Sequence, residues 1–135
     1  MNSLNFDPIN LTQELVKCPS ITPKDEGALD IVEKYLQNLG FKCERLLFSD
    51  DNSYGVENLF ATIGNKGKHL AFAGHTDVVP PGSESSWKYH PFEAKIDGNK
   101  LYGRGVEDMK SNIASFISAT HDFIKKNGDN FDGRI

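Results

Sequence analysis

The chain has 135 residues, the length of one ordinary domain, with 38% hydrophobic and 25% charged residues. Its formal net charge is -4 and it has no basic block, which argues against nucleic acid or an anionic membrane as partner. It shows neither a secretory signal nor the roughly 20-residue apolar run that spans a bilayer. Cys18 and Cys43 form no CxxC pair, which favours two reduced thiols. We therefore expect a soluble, cytoplasmic protein.

Two helices are predicted early in the chain. Asp7-Pro8 is a typical helix start, with Asp as the N-cap and Pro at the first helical position, and this helix is expected to end near Cys18-Pro19. A second helix is predicted from about Asp25 to Leu39, because its apolar residues recur at helical spacing. Gly40 follows it as the residue that ends the helix.

Three strands are predicted after the second helix. The first two cover Phe41 to Phe48 and Asn58 to Ile63. The sequence Gly64-Asn65-Lys66-Gly67 then indicates a hairpin-type turn. A third strand from His69 to Ala73 has the apolar character of a strand that is buried on both faces.

The second half of the chain is predicted to contain a loop, a turn and a long helix. The loop covers Pro80 to Lys95, and the segment Ile96 to Leu101 is typical of a tight β-turn. A long helix is predicted from the apolar residues between Ile113 and Ile124, which repeat at helical spacing, and it is expected to end at Asn127-Gly128. Asp132 to Ile135 resembles the turn into another strand, so we expect the chain to be cut within its domain. The fold class predicted is α/β, a layered sheet with helices packed on it.

A His and two Asp residues stand out as candidate functional residues. His75 and Asp77 directly follow the third predicted strand, at the end of a strand where open α/β sheets keep their chemistry. Asp108 lies further on, after another strand-like segment, and neighbouring strand ends would bring it close. Imidazole and carboxylate groups suit zinc or a similar ion, and a second carboxylate can accept the other ring N–H of the His. The pattern predicts part of a metal site, with too few ligands to complete it.

Each candidate also has an ordinary structural interpretation. A His at a strand end is more often a satisfied polar residue than a ligand, and Asp108 could be a plain N-cap of the helix that follows it. Trp87 either packs its loop down or shapes a substrate pocket. Arg104 either binds a substrate carboxylate or pairs with a local acid. The sequence leaves these alternatives open.

Two stretches together resemble the M20 family of metallopeptidases and deacylases. They are Gly74-His75-Thr76-Asp77-Val78-Val79-Pro80-Pro81-Gly82, followed by Trp87 and Pro91-Phe92, and Gly103-Arg104-Gly105 with Asp108-Met109-Lys110. The resemblance covers nearly the whole chain. It implies that residues 1–135 are the N-terminal portion of a zinc-peptidase-like catalytic domain, and that the lid and dimerisation domain are absent.

The resemblance also implies roles for individual residues. His75 would bind one of two Zn²⁺ ions, with Co²⁺ as a possible substitute, and Asp108 would bridge both ions. Asp77 would take part in catalysis by orienting His75. The peptide bond between Asp108 and Met109 would be cis, as in family members.

The activity implied is hydrolysis of a small N-acyl amino acid. The expected substrate of the whole protein, which would be a homodimer, is N-succinyl-LL-2,6-diaminopimelate, giving succinate and LL-2,6-diaminopimelate for lysine and diaminopimelate biosynthesis. The alternatives are another M20 deacylase or peptidase, such as acetylornithine deacetylase, and a non-catalytic fragment that binds metal or a partner weakly. The general base and remaining ligands of the family lie beyond Ile135, so this chain alone is expected to be inactive.

Overall fold

The computed structural model of the chain describes residues 4–128 and 130–135. Helices pack on short strands in a layered α/β arrangement, which confirms the predicted class. The α-helices are α1 (Pro8–Val16), α2 (Ala28–Asn38) and α3 (Ser111–Asn127). The strands are β1 (Lys42–Phe48), β2 (Val56–Thr62), β3 (Lys68–His69), β4 (Lys95–Asp97), β5 (Lys100–Tyr102) and β6 (Gly133–Arg134).

The first helix begins where its sequence predicts. Asp7 Oδ1 accepts hydrogen bonds from the N–H groups of Ile9 and Asn10, both at 2.9 Å. Pro8 occupies the first helical position, where the missing N–H costs nothing. These contacts satisfy donors that no helical carbonyl can reach, so α1 has a well-defined start.

The second helix starts later than predicted. It begins at Ala28 instead of Asp25, because Gly27 holds a left-handed φ of 83° that interrupts helical geometry. Asp25 still contributes, since its carboxylate accepts a hydrogen bond from Leu29 N–H at 3.0 Å. Gly40 follows the helix with a φ of 86°, as the sequence predicted for the helix end.

β6 connects the β1–β2 hairpin to β3. β1 and β2 form an antiparallel hairpin with Lys42 opposite Thr62, while β3 and β6 pair in parallel. Directly after β2, Ile63 exchanges two backbone hydrogen bonds of 3.0 Å with Ile135, which directly follows β6. β6 therefore lies between the end of β2 and β3.

Two strand predictions are wrong in part. The turn over residues 64–67 does not close a hairpin, because β3 pairs with β6 and not with β2. Gly64 (φ 83°) lies so close to the Gly133 carbonyl oxygen that a Cβ would collide with it. The predicted buried strand from His69 to Ala73 is reduced to β3, and Leu70 and Phe72 are 62% and 40% exposed. The reason is that no described strand lies beside residues 71–75.

The core lies between the three helices and the helix-facing side of β1 and β2. It consists of buried apolar side chains, with Tyr35 among them: Leu11, Leu15, Val32, Tyr35, Leu36, Phe41, Ile63, Ile113, Ala114 and Ile117. α1 packs against α3, and α2 packs against both strands of the hairpin. This packing fixes the start of α3 against α1, next to the candidate site.

The second half follows its predicted pattern. β4 and β5 form a tight antiparallel hairpin, with Gly98 (φ 60°) between them. The loop before them contains one 3₁₀ turn, Glu84–Ser86, and the chain ends in the predicted strand as β6. Cys18 and Cys43 are both free thiols. Within the described residues, no helix has the length and apolarity needed to cross a membrane.

Candidate metal centre

The imidazole of His75 is held from both sides by oxygen atoms. Its Nδ1 lies 2.9 Å from the backbone carbonyl oxygen of Asp77 and 3.4 Å from Asp77 Oδ1. Its Nε2 lies 3.1 Å from Asp108 Oδ1. A backbone carbonyl oxygen and ionised carboxylates can only accept hydrogen bonds, so a proton on Nδ1 leaves the Nε2 lone pair facing a carboxylate oxygen. That arrangement calls for a second proton or a cation between Nε2 and Asp108.

These neighbours stabilise positive charge at His75. Partial burial of the ring disfavours the imidazolium, but the hydrogen bond to the Asp77 carbonyl and the bond to the Asp108 carboxylate outweigh it. The pKa of His75 is therefore raised above its ordinary value. The side chains of His75 and Asp108 are 47% and 86% exposed, so a cation from solvent can reach them.

Asp77 is held in place by the loop that follows α1. Thr22 Oγ1 donates a hydrogen bond to Asp77 Oδ2 at 2.5 Å. The backbone of the same loop pairs with Val78, whose N–H donates to the Ser20 carbonyl at 2.9 Å and whose carbonyl accepts from Thr22 N–H at 3.1 Å. Asp77 is thus fixed between Thr22 and the imidazole of His75. This contact across the loop could not be predicted from spacing along the sequence.

Asp108 belongs to a kinked helical turn, Val106–Lys110, that leads into α3. The N-cap of α3 is Lys110, and no side chain caps this helix end. The alternative of Asp108 as a plain N-cap is therefore wrong, since its carboxylate contacts His75 instead. The peptide bond between Asp108 and Met109 is cis, as the family resemblance implied.

His75 and Asp108 come together as predicted, but by a different route. Neither follows a strand that pairs with the other's strand, so the expected meeting of neighbouring strand ends is wrong. The turn that carries Asp108 instead packs directly on Val78. Gly105, with a left-handed φ of 81°, makes this possible, because a Cβ there would lie 2.5 Å from Val78 Cγ1.

Lys110 anchors the turn of Asp108 to the end of α1. The sequence analysis did not predict this role. The side chain is fully buried, with Nζ donating to the carbonyl oxygens of Leu15 and Cys18, both at 2.8 Å. Burial lowers its pKa to about 8. The ammonium group thereby caps the last carbonyls of α1 and ties the turn of Asp108 to that helix. A lysine directly before a strongly amphipathic helix was the available signal.

A cleft of about 470 Å³ opens beside the three candidate residues. Trp87 lines it and also donates from Nε1 to the Pro81 carbonyl at 3.0 Å, so it both packs its loop and shapes the pocket. The Arg104 guanidinium carbon lies 5.2 Å from the centre of the Trp87 ring. Arg104 Nε is buried and has no hydrogen-bond partner, and within the described ranges no carboxylate pairs with this guanidinium.

The other described histidines lie outside this site. His90 Nε2 is 3.8 Å from a carboxylate oxygen of Glu84. His121 stacks on Phe6 with ring centres 4.3 Å apart, and its Nδ1 lies 3.1 Å from Asp122 Oδ1. The His121–Asp122 pair has the same separation as His75 and Asp108, which makes it a natural control.

The donor set fits part of a divalent metal site. It offers one imidazole nitrogen and one carboxylate, and a second carboxylate supports the far side of the imidazole. Over residues 4–128 and 130–135, no three His, Cys, Asp or Glu side chains converge as a metal-binding group. Further ligands are therefore needed to complete a coordination sphere.

Comparisons with known proteins place the chain near one family of hydrolases. Residues 71–134 match the family described as Peptidase family M20/M25/M40. A succinyl-diaminopimelate desuccinylase of Rhodospirillum centenum is 49% identical over 122 residues, which are 90% of this chain and 32% of the relative. One from Parvibaculum lavamentivorans is 51% identical over 114 residues, 84% of this chain and 29% of the relative.

A solved structure of an M20 family protein also resembles this chain. An M20 family metallo-carboxypeptidase of Sulfolobus solfataricus superposes with a TM-score of 0.72 at 25% identity. The match covers 95% of this chain and 29% of that protein. The chain also spans only about a third of the length of the curated relatives that it matches.

Proposed function

We propose that this chain belongs to the M20 peptidase family and supplies part of the metal centre of a metal-dependent amide hydrolase. The observation that carries the proposal is the approach of His75 Nε2 to Asp108 Oδ1, 3.1 Å apart. Family membership implies a divalent metal, and the two atoms are donors of the type such ions take.

Within this proposal, His75 and Asp108 hold the metal and Asp77 positions the imidazole. We propose Zn²⁺ as the ion, with Co²⁺ as a substitute, and the carboxylate of Asp108 would serve as a ligand in a site for two such ions. A bound divalent ion supplies a Lewis acid for the amide carbonyl. The Asp77 carbonyl keeps a proton on His75 Nδ1, which leaves the Nε2 lone pair free for a cation.

The proposed substrate of the whole protein is N-succinyl-LL-2,6-diaminopimelate. Hydrolysis consumes one water and gives succinate and LL-2,6-diaminopimelate, a step in lysine and diaminopimelate biosynthesis. The names of two relatives at 49% and 51% identity support this substrate. Arg104 agrees with it, because a guanidinium that pairs with no carboxylate of the described residues suits a substrate that carries carboxylates. We further propose that the whole protein is cytoplasmic, consistent with two free thiols, and that it forms a homodimer.

A second candidate is the hydrolysis of a peptide or another N-acyl amino acid. It is favoured by the likeness to a metallo-carboxypeptidase at 25% identity. The two candidates share the metal centre and differ in the group that the cleft accepts. They are separated by substrate assays, not by metal binding.

Metal binding by the chain itself tests the site. Purified chain is titrated with Co²⁺ and with Zn²⁺ against a chromophoric chelator, as are His75→Ala and His121→Ala. We expect His75→Ala to weaken the affinity at least about tenfold, since it removes an inner ligand. His121→Ala should leave the affinity unchanged, although His121 also contacts a carboxylate at 3.1 Å. Equal effects of the two substitutions would contradict the site.

Activity is tested in a chimera. In it, this chain replaces the matching part of the Rhodospirillum centenum desuccinylase, and release of succinate, acetate from N-acetylornithine and amino acids from a dipeptide are compared. We expect desuccinylation that Asp108→Asn abolishes and Asp122→Asn leaves intact. Peptide hydrolysis without desuccinylation would favour the second candidate. The chain alone should be inactive, and zinc-dependent hydrolysis by the purified chain would refute that expectation.

A further inference from the structure

Arg104 and Trp87 form a stacked pair on the wall of the cleft beside the candidate metal centre. The guanidinium carbon of Arg104 lies 5.2 Å from the centre of the Trp87 ring. Both residues line the cleft of about 470 Å³ that His75 and Asp108 also line. A guanidinium that lies over a ring keeps the N–H groups in its own plane free to bind a ligand. The pair thus brings a positive charge to the same space as the candidate metal ligands.

Both members of this pair are held by backbone groups of the loop over residues 80–95. Trp87 Nε1 donates a hydrogen bond to the Pro81 carbonyl oxygen at 3.0 Å, which orients the indole ring. The backbone N–H of Arg104 donates to the Pro91 carbonyl oxygen at 2.7 Å. The ring and the guanidinium are therefore positioned before any ligand enters, which lowers the entropy that binding costs.

The guanidinium of Arg104 has hydrogen-bonding capacity that the described residues do not use. Its Nε is buried and has no hydrogen-bond partner. Three acidic residues line the same cleft, Asp77, Glu107 and Asp108, yet none of them forms an ion pair with it. A buried N–H without a partner costs free energy, so its presence in a cleft points to a ligand that completes it. The ligand that matches the planar fork of a guanidinium is a carboxylate.

We propose that Arg104, with Trp87 as its platform, forms a carboxylate-binding subsite in this cleft and takes one carboxylate of the substrate. The assignment to a substrate rests on the proposed function, whereas the binding of a carboxylate by Arg104 does not. N-succinyl-LL-2,6-diaminopimelate carries carboxylates on both sides of its amide bond. The succinyl carboxylate and those of the diaminopimelate half offer the same chemistry, so the experiment must separate the two sources.

The first test uses the purified 135-residue chain and its single tryptophan as the reporter. Succinate and LL-2,6-diaminopimelate are titrated separately at constant ionic strength, and the fluorescence of Trp87 is followed. Succinamide, in which neutral amides replace both carboxylates, is the control ligand. We expect a saturable change with at least one of the two acids and none with succinamide, and the acid that binds identifies the source. No saturable change with either acid, or an equal response to succinamide, would overturn the proposal.

Variants locate the binding at Arg104. The width of the ligand's proton resonance measures affinity without relying on the tryptophan, and circular dichroism checks the fold. Arg104→Gln should weaken binding at least about tenfold, because it removes charge-assisted hydrogen bonds. Arg104→Lys should restore the affinity only in part, since it returns the charge without the planar fork. Arg134 lies on β6 and does not line the cleft, so Arg134→Gln should leave the affinity unchanged. Equal weakening by Arg104→Gln and Arg134→Gln would contradict the subsite.

Two further measurements separate this subsite from the metal centre. Arg104→Gln should not weaken the binding of Co²⁺ to the chain, because it removes a positive charge from the cleft. In the chimera with the Rhodospirillum centenum desuccinylase, the same substitution should raise KM for the succinylated substrate at least about tenfold and change kcat less. An unchanged KM would overturn the assignment to a substrate. Equal metal affinities of His75→Ala and His121→Ala would instead refute the proposed metal centre and leave carboxylate binding by Arg104 standing.

Discussion

His75 Nε2 lies 3.1 Å from Asp108 Oδ1 although the two residues are 33 positions apart. Two anchors near α1 create this contact. The loop after α1 pairs with Val78, next to Asp77, and Lys110 Nζ donates to the carbonyl oxygens at the end of α1. The first helix and its loop therefore set the geometry of the candidate metal centre.

Asp77→Asn is expected to weaken metal binding about tenfold. The carboxylate lies 3.4 Å from His75 Nδ1, and its negative charge increases the basicity of Nε2. The loss stays moderate because the Asp77 backbone carbonyl, 2.9 Å from Nδ1, remains in the variant. Titration with Co²⁺ measures the effect, with Asp122→Asn as the control beside His121. An affinity that equals the parent's would show that Asp77 does not position His75.

Gly105→Ala is expected to destabilise the chain more than Gly82→Ala. The two glycines have similar left-handed φ values of 81° and 77°. Only at Gly105 would a Cβ meet another atom, Val78 Cγ1 at 2.5 Å, while at Gly82 nothing lies within 4 Å. The shared strain is about 1 kcal/mol, and we expect the collision to add about 1–3 kcal/mol. Urea denaturation measures the free energy of unfolding of both variants. Equal losses of stability in Gly105→Ala and Gly82→Ala would rule out close packing against Val78.

Arg45→Met is expected to lower the free energy of unfolding by about 1–2 kcal/mol. The guanidinium lies 2.8–2.9 Å from the carboxylates of Asp30, Glu33 and Glu57. It therefore joins α2 to both strands of the hairpin. Lys42→Met removes a mostly exposed ion pair and should change stability by less than about 0.5 kcal/mol. High salt should narrow the difference between parent and Arg45→Met. No salt dependence would count against a charge network.

Tyr35→Phe tests a buried hydroxyl through pH. Tyr35 is 1% exposed, and its Oη lies 3.0 Å from both Glu14 Oε1 and the Asn5 carbonyl oxygen. Burial, followed by the hydrogen bond to Glu14, raises the pKa of Tyr35 to about 12. Below pH 10 we expect the variant to be less stable by about 1 kcal/mol, through the lost hydrogen bonding.

The pH dependence has a definite sign. Because the folded pKa exceeds the ordinary value near 10, the folded state retains a proton that the unfolded state releases between pH 10 and 12. The advantage of the parent over Tyr35→Phe is therefore complete below about pH 10 and declines as the pH rises toward 12. Denaturant unfolding at several pH values measures this difference. A gap that stays constant up to pH 11 would contradict the raised pKa.

Local features of the chain were predictable because their causes are local. Asp7 and Pro8 define the start of α1 through contacts within one helical turn. The apolar repeat predicts α3, and Gly98 predicts the β4–β5 turn. The pairing of a His with a distant Asp was also predicted, since residue types and motif pointed to one site.

Sequence alone therefore determined the three α-helices, the β4–β5 turn and the identity of the residues that meet at the candidate metal centre. Only the tertiary structure decided that β3 pairs with β6, that residues 70–75 remain exposed, and that Lys110 is buried at the end of α1. Each of these depends on which distant backbone lies alongside. An apolar run such as Leu70 to Ala73 encodes the capacity to be buried, but burial itself requires a neighbouring strand, and that neighbour is set by long-range packing.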